Sequence, residues 1–333
     1  MRLLQYNNLK NLSGEFIRSM QELVVLDLSY NYDFNKLPEQ ISKLTSLQYL
    51  DLTSTSIEQL PVGFQELKKL THLDLRYTKK LRCVDGISKL TSLSILKLVK
   101  SKVHGDVSLL KELQLLEHLQ LLIITISTQS GLEHILGDPR LANCIDSLHI
   151  YGFEQHPFSI LSLMSMNLRR LWVEKSHVTE IDTNQKYREN PCFANLSSVI
   201  LMRCNSNKDL TWLLFAPNLV TLTIVQSEEV EEIINKEKTT NLTGIIIPFQ
   251  KLKFCGLDNL PKLESIYWSP LSFPCLRSVY ANNCPKLRKL PLDATSVPRL
   301  GEFSITMRPP EQITDLEWED EDTKNRFLPL FYK

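Results

Sequence analysis

The sequence predicts an α/β solenoid of about twelve stacked strand-turn units, curved into a horseshoe with a parallel concave sheet and a helical or irregular convex side. Two observations carry that expectation. The pattern L-x-x-L-x-L returns along nearly the whole chain, and a small polar residue stands eight positions after the first apolar residue in most copies.

The copies begin with Leu23-Leu26-Leu28, Leu47-Leu50-Leu52, Leu70-Leu73-Leu75 and Leu93-Leu96-Leu98, then a looser Leu116-Leu119-Leu121. They continue as Ile145-Leu148-Ile150, Leu168-Leu171-Val173, Leu196-Val199-Leu201 and Leu219-Leu222-Ile224. Leu252-Cys255-Leu257, Leu276-Val279-Ala281 and Leu300-Phe303-Ile305 complete the series. Successive copies lie 24, 23, 23, 23, 29, 23, 28, 23, 33, 24 and 24 residues apart, which chance does not produce. The L-x-L core alternates with period two, so it forms a strand buried on one face. So short a strand cannot bury that face alone, but a neighbour ~5 Å away continues both the sheet and the core. A leucine-rich-repeat solenoid meets both demands.

After each strand the chain must turn inward, where its buried backbone groups need a small polar partner. Asn31, Thr55, Thr78, Ser101, Ser176, Cys204, Ser227 and Cys284 hold that eighth position, while Ile124, Phe153, Leu260 and Arg308 break the rule. Leu4-Gln5-Tyr6-Asn7 matches Leu28-Ser29-Tyr30-Asn31 at an offset of 24, so the first repeat reads as truncated and the chain as a severed module. The solenoid is assigned to residues 1–310. Residues 311–333 read as an acidic, then apolar tail whose Phe327, Leu328, Leu330 and Phe331 cap the last repeat. Three repeats are lengthened, near 125–143, 176–194 and 227–250, and the charged run of the last reads as a helix or a mobile loop.

Composition narrows the function. Lysine plus arginine equal aspartate plus glutamate at 38 each, so no nucleic-acid partner is expected. No apolar run approaches the ~20 residues a membrane span needs, and the N-terminus carries no secretory leader pattern. Seven unpaired-looking cysteines without C-x-x-C spacing fit reduced thiols, and with the missing leader they point to the cytoplasm. There is no phosphate-binding G-x-x-x-x-G-K-[ST], no H-E-x-x-H and no G-x-S-x-G, so neither an enzyme nor a cofactor is expected.

Two stretches carry a resemblance: LVVLDLSYNYDFNKLPEQISKLTSLQYLDLTSTSIEQLP early, and LDNLPKLESIYWSPLSFPCLRSVYANNCPKLRKLPL followed by LEWEDEDTKNRFLP late. The chain resembles the repeat region of plant intracellular nucleotide-binding leucine-rich-repeat immune receptors of the coiled-coil class. Segments 259–268, 273–291 and 318–329 are the most specific pieces. The resemblance implies defence recognition: sensing a pathogen effector or a modified host protein, or restraining an attached ATPase domain that this chain lacks. Two alternatives stay open, a stand-alone adaptor or scaffold and a truncated, non-functional receptor fragment.

The expected contact surface is the concave face. Its central row runs from Asp27, Asp51 and Asp74 through Lys97, Gln120 and His149 to Trp172, Tyr280 and Ser304. Three stacked aspartates would repel one another and welcome a basic partner, unless each bonds its own backbone. Tyr30, Tyr49, His72, Tyr77, Tyr151, Arg169, Arg170 and Arg203 flank that row, and aromatic and arginine side chains are the usual interface anchors. Cys204, Cys255 and Cys284 sit at repeat positions suited to small buried groups. Because the core is continuous, Leu50→Ala or Leu73→Ala should each lower stability by ~2–5 kcal/mol, read as a drop in the urea midpoint.

Overall fold

The computed structural model describes residues 1–179, 193–240 and 247–332. Most of the lengthening at 176–194, and part of that at 227–250, therefore lies outside the described residues. The chain forms two compact units, Met1–His149 and Ile150–Lys333, and residues 311–333 belong to the second.

In the first unit, β1 (Arg2–Leu3), β2 (Val25–Asp27), β3 (Tyr49–Asp51), β4 (His72–Asp74), β5 (Ile95–Lys97) and β6 (Leu121–Ile126) pair in chain order, all parallel. Strand β7 (Ile145–Tyr151) carries the chain into the second unit, where β8 (Phe158–Ser159) pairs with β10 (Val178–Thr179). There β9 (Arg170–Glu174), β11 (Ser198–Met202), β12 (Thr221–Val225), β13 (Phe254–Asp258), β14 (Ser278–Asn282) and β15 (Ser304–Arg308) form parallel neighbours in chain order. Most repeat leucines are buried, Leu26, Leu50, Leu96 and Leu222 completely, while Leu121 and Leu300 are half-buried. Leu4 donates to the Asp27 carbonyl at 2.8 Å, and Arg2 pairs with Leu26, an offset of 24.

Two registers differ from the sequence reading. Strand β6 pairs Leu122 with Leu96 and Ile123 with Lys97, so the fifth full repeat is Leu119-Leu122-Ile124. The irregular spacings of 23 and 29 become 26 and 26. Ser127, not Ile124, then holds the eighth position, and the central-row residue is the buried Ile123 instead of Gln120. The sequence misleads because 116–122 is a leucine-dense run in which two frames fit the pattern equally well. The three extra residues lie before the strand and let an α-helix, Val107–Gln114, form where shorter repeats have 3-10 turns such as Val62–Glu66. Strand β15 pairs Ile305 with Val279 and Met307 with Ala281, so Thr306 replaces Ser304 in the row.

The inward turn is built as expected and reveals one further device. Asn31 Nδ2 donates to the Leu28, Leu4 and Ser29 carbonyls, and its Oδ1 accepts from the Asn7 and Leu9 amides. The hydroxyls of Thr55, Thr78 and Ser101 each donate to the carbonyl three residues back, at 2.6–2.8 Å. The Cys204 and Cys284 thiols donate to nearby carbonyls in the same place. The residue just before is left-handed in nine of the full repeats, at Tyr30, Ser54, Tyr77, Lys100, Lys175, Arg203, Gln226, Asn259 and Asn283, and a tenth has Gly152 at φ 81°. A non-glycine residue there costs about 1 kcal/mol, and the hydrogen-bonded turn behind it holds it in place.

The lengthening at 125–143 folds as helices Gln129–Leu136 and Pro139–Cys144, with N-caps Thr128 and Asp138. At the other end, Asp320 caps helix Glu321–Phe327, and the fully buried Phe327 ring meets Phe303 edge-on at 5.9 Å. Trp318 packs against Phe331 in the same manner, and Glu319 pairs with Lys289 at 2.6 Å.

Asn31→Ala would strip partners from several backbone groups at once, each worth ~1–3 kcal/mol when left buried and unpaired. It should therefore destabilise the chain more than Thr55→Ala. Hydrogen exchange would show the loss first at the Asn7 and Leu9 amides.

Candidate protein-recognition face

In the first unit the in-register row is Asp27, Asp51, Asp74 and Lys97. These aspartates are not three free charges facing solvent. Each carboxylate accepts the amide two residues on, at Ser29, Thr53 and Arg76, and these three strands end at the aspartate. Where Trp172, Ile200, Thr223, Gly256 or Tyr280 replaces it, the strand runs two residues further. Asp51 and Asp74 are buried, at 9% and 3% exposure, which corrects the expectation that they project from the sheet.

Asp74 is neutralised within the chain by a fork from Arg76, with Nε at 2.9 and 3.0 Å and Nη2 at 2.8 Å, and by Lys97 at 3.2 Å. Burial raises the Asp74 carboxyl, but Arg76 and Lys97 outweigh it and hold the group below the usual carboxylate range. Asp51 goes the other way, raised by burial and by its aspartate neighbours against the hydrogen bonds of Thr53. Tyr49 donates to Asp51 at 3.3 Å and stands 5.9 Å from the His72 ring. Burial and then the charges of Asp51, Asp74 and Asp27 push its hydroxyl up to about 12. Tyr30 stacks flat on Tyr6 at 4.4 Å, and Tyr77 is exposed, both at the left-handed position.

In the second unit Trp172, Ile200, Thr223, Gly256, Tyr280 and Thr306 form the row. Trp172 and Tyr280 are both half-buried and share it, but four strand spacings, about 19 Å, separate them. Arg170 opens the adjacent row and is exposed, as is Arg169 just before the strand. Tyr151 lies under the Lys175 ammonium at 5.7 Å, and Arg203 Nε donates to Gln226 at 2.9 Å. His149, placed in the central row by the sequence, is buried and contacts Thr125 at 3.1 Å.

Phe254 escaped the sequence reading. It is exposed on the sheet, and its ring lies over Gly256, where an added Cβ would sit 2.8 Å from Cε1. Its offset within the repeat is that of Tyr49 and His72, which is the signal that would have found it.

Residues 1–320 match the family described as the leucine-rich repeat region. The chain belongs to that family. Over 98% of its length this leucine-rich-repeat chain is 60% identical to the disease resistance protein UNI of Arabidopsis thaliana and 44% identical to the disease resistance protein RPS5 of the same plant. It spans 37% and 38% of those two proteins, little more than a third of their length. A solved structure of TLR13 in complex with ssRNA13 shares the fold, with a TM-score of 0.50 at 19% identity over 98% of this chain and 48% of that one.

Leucine-rich-repeat regions are typically protein-interaction modules without catalysis. Burial pushes the Cys204 and Cys255 thiols up to about 12 and Cys284 to about 11, so they remain protonated and unreactive. Among the described residues no His, Cys, Asp or Glu group of three or more could hold a metal, and no helix is long and apolar enough to cross a membrane.

The two aspartates should separate in a carboxyl carbon NMR titration, Asp51 above and Asp74 below the ordinary 3.8. Linkage then gives opposite signs. Stability from Asp74 is present above 3.8 and lost as pH falls through its folded value, whereas that from Asp51 is present below 3.8 and lost as pH rises through its own. Asp51→Asn should bring the Tyr49 hydroxyl down from about 12 toward 10, read by ultraviolet titration.

Proposed function

We propose that this chain is a protein-recognition module of plant defence, acting inside the cell on a pathogen effector or a modified host protein. Its open sheet offers paired Tyr49 and His72 in the first unit, and Arg170, Trp172, Phe254 and Tyr280 in the second. The observation that carries this reading is the match of 98% of the chain to proteins named for disease resistance. Because those relatives are much longer, restraint of an ATPase domain joined to the repeats belongs to the same proposal. Recognition becomes a signal only if the ligand binds the restrained and released states with different affinity.

The test is affinity capture from leaf extract by the full chain and by two double variants, Tyr49→Ala with His72→Ala and Trp172→Ala with Tyr280→Ala. One double variant should lose proteins that the parent retains, with its melting temperature nearly unchanged. Identical captured sets for all three chains would sink the sheet-face reading.

A further inference from the structure

The left-handed residue, the buried residue after it and the residue after that recur as a triplet in the second unit. Arg203 and Asn205 are exposed around buried Cys204, Gln226 and Glu228 around buried Ser227, and Asn283 and Pro285 around buried Cys284. Stacked repeats turn this alternation into two parallel rows with a trough between them. One row holds Lys175, Arg203, Gln226, Asn259 and Asn283. The other holds Glu154, Asn205, Glu228 and Pro261. Together they line a cavity of 440 Å³.

The two walls differ in chemistry. The first presents an ammonium, a guanidinium and carboxamides, and its members brace one another, Arg203 on Gln226 at 2.9 Å and Asn283 on Asn259 at 2.7 Å. The second presents two carboxylates and a carboxamide, with Asn205 Oδ1 accepting the Glu228 amide at 3.0 Å. A ligand filling the trough must meet donors with carbonyl or carboxylate oxygens and carboxylates with N–H groups or cations. An extended peptide carries both kinds of group along its length. A nucleic acid or an anionic lipid headgroup brings phosphate oxygens to both walls and is repelled by Glu154 and Glu228.

We infer that this trough binds an extended peptide segment of a protein partner laid across the repeats, with an acidic side chain against Lys175 and Arg203. The inference deepens the recognition function proposed above and rests on it, but it moves the peptide contact from the sheet to the flank of the second unit. The left-handed backbone serves the site directly, because it turns long side chains away from the sheet and into one wall. In the first unit the same positions carry Tyr30, Ser54, Tyr77 and Lys100, with Tyr32, Ser56, Lys79 and Lys102 opposite and no carboxylate among them, so the paired walls are absent there.

The test begins with phage-displayed random twelve-residue peptides selected on the full chain. A selected peptide is then titrated by fluorescence polarisation against the parent, Arg203→Gln, Arg203→Glu, Asn259→Ala with Asn283→Ala, and Trp172→Ala with Tyr280→Ala. Selected peptides should carry an acidic residue. Removing one charge-assisted contact should weaken binding about ten- to a hundredfold. Arg203→Glu should be rescued by a peptide with lysine at the acidic position. The Trp172/Tyr280 variant reports on the sheet face and not on the trough. Loss of binding only in that variant would overturn the trough while leaving the sheet-face reading intact. Failure to select any peptide, or binding indifferent to all four groove substitutions, would overturn the trough as well. Matching melting curves separate these results from misfolding.

Discussion

Each repeat bends its chain into the core directly after the strand, and the backbone groups carried inward by that bend must be hydrogen-bonded there. This constraint organises the rest. The eighth residue satisfies the buried carbonyls, as Asn31 does for three of them and Thr55, Thr78 and Ser101 do singly. Because the next repeat is built the same way, the leucines fall into register above one another. Both the sheet and the core therefore follow from how the turn is satisfied, and a failure in one turn is felt by the adjacent repeats before distant ones.

Much of this was legible in the sequence, because the period and the polar position are set by residue types that have few substitutes. The solenoid and its parallel strands needed only leucine spacing. Frame was harder to read. Around Leu116–Leu122 nearly every second residue is leucine, and only pairing with Leu96 selects one register. The candidate face was less legible still. Side-chain alternation says that the residue between two leucines leaves the core, but not that a short carboxylate curls back onto its own backbone and becomes buried, as at Asp51 and Asp74. The left-handed positions were invisible because Tyr, Lys, Arg and Gln do not advertise that conformation as glycine does.

The central row also marks a difference between the two units, since strands ending at Asp27, Asp51, Asp74 or Lys97 are three residues long. A carboxylate that takes the amide two residues on keeps that one amide from the neighbouring strand, while the amides on either side still pair, Leu28 with the Asp51 carbonyl and Tyr30 with that of Thr53. With Trp172, Thr223 or Tyr280 in its place, the pairing continues and more strand residues face outward. The first unit thus has a narrow, partly self-neutralised face. The second has a wider one of aromatic, hydroxyl and arginine groups.

The left-handed turn has a consequence for how such a chain changes over generations. Its conformational cost is set by the backbone and is nearly the same for Tyr, Lys, Arg or Gln, while the residue behind it is buried each time. Exchanging one of these side chains for another leaves the folding free energy almost level and alters only what the surface offers. Selection can thus rewrite the contacts one repeat at a time, with no compensating change in the scaffold.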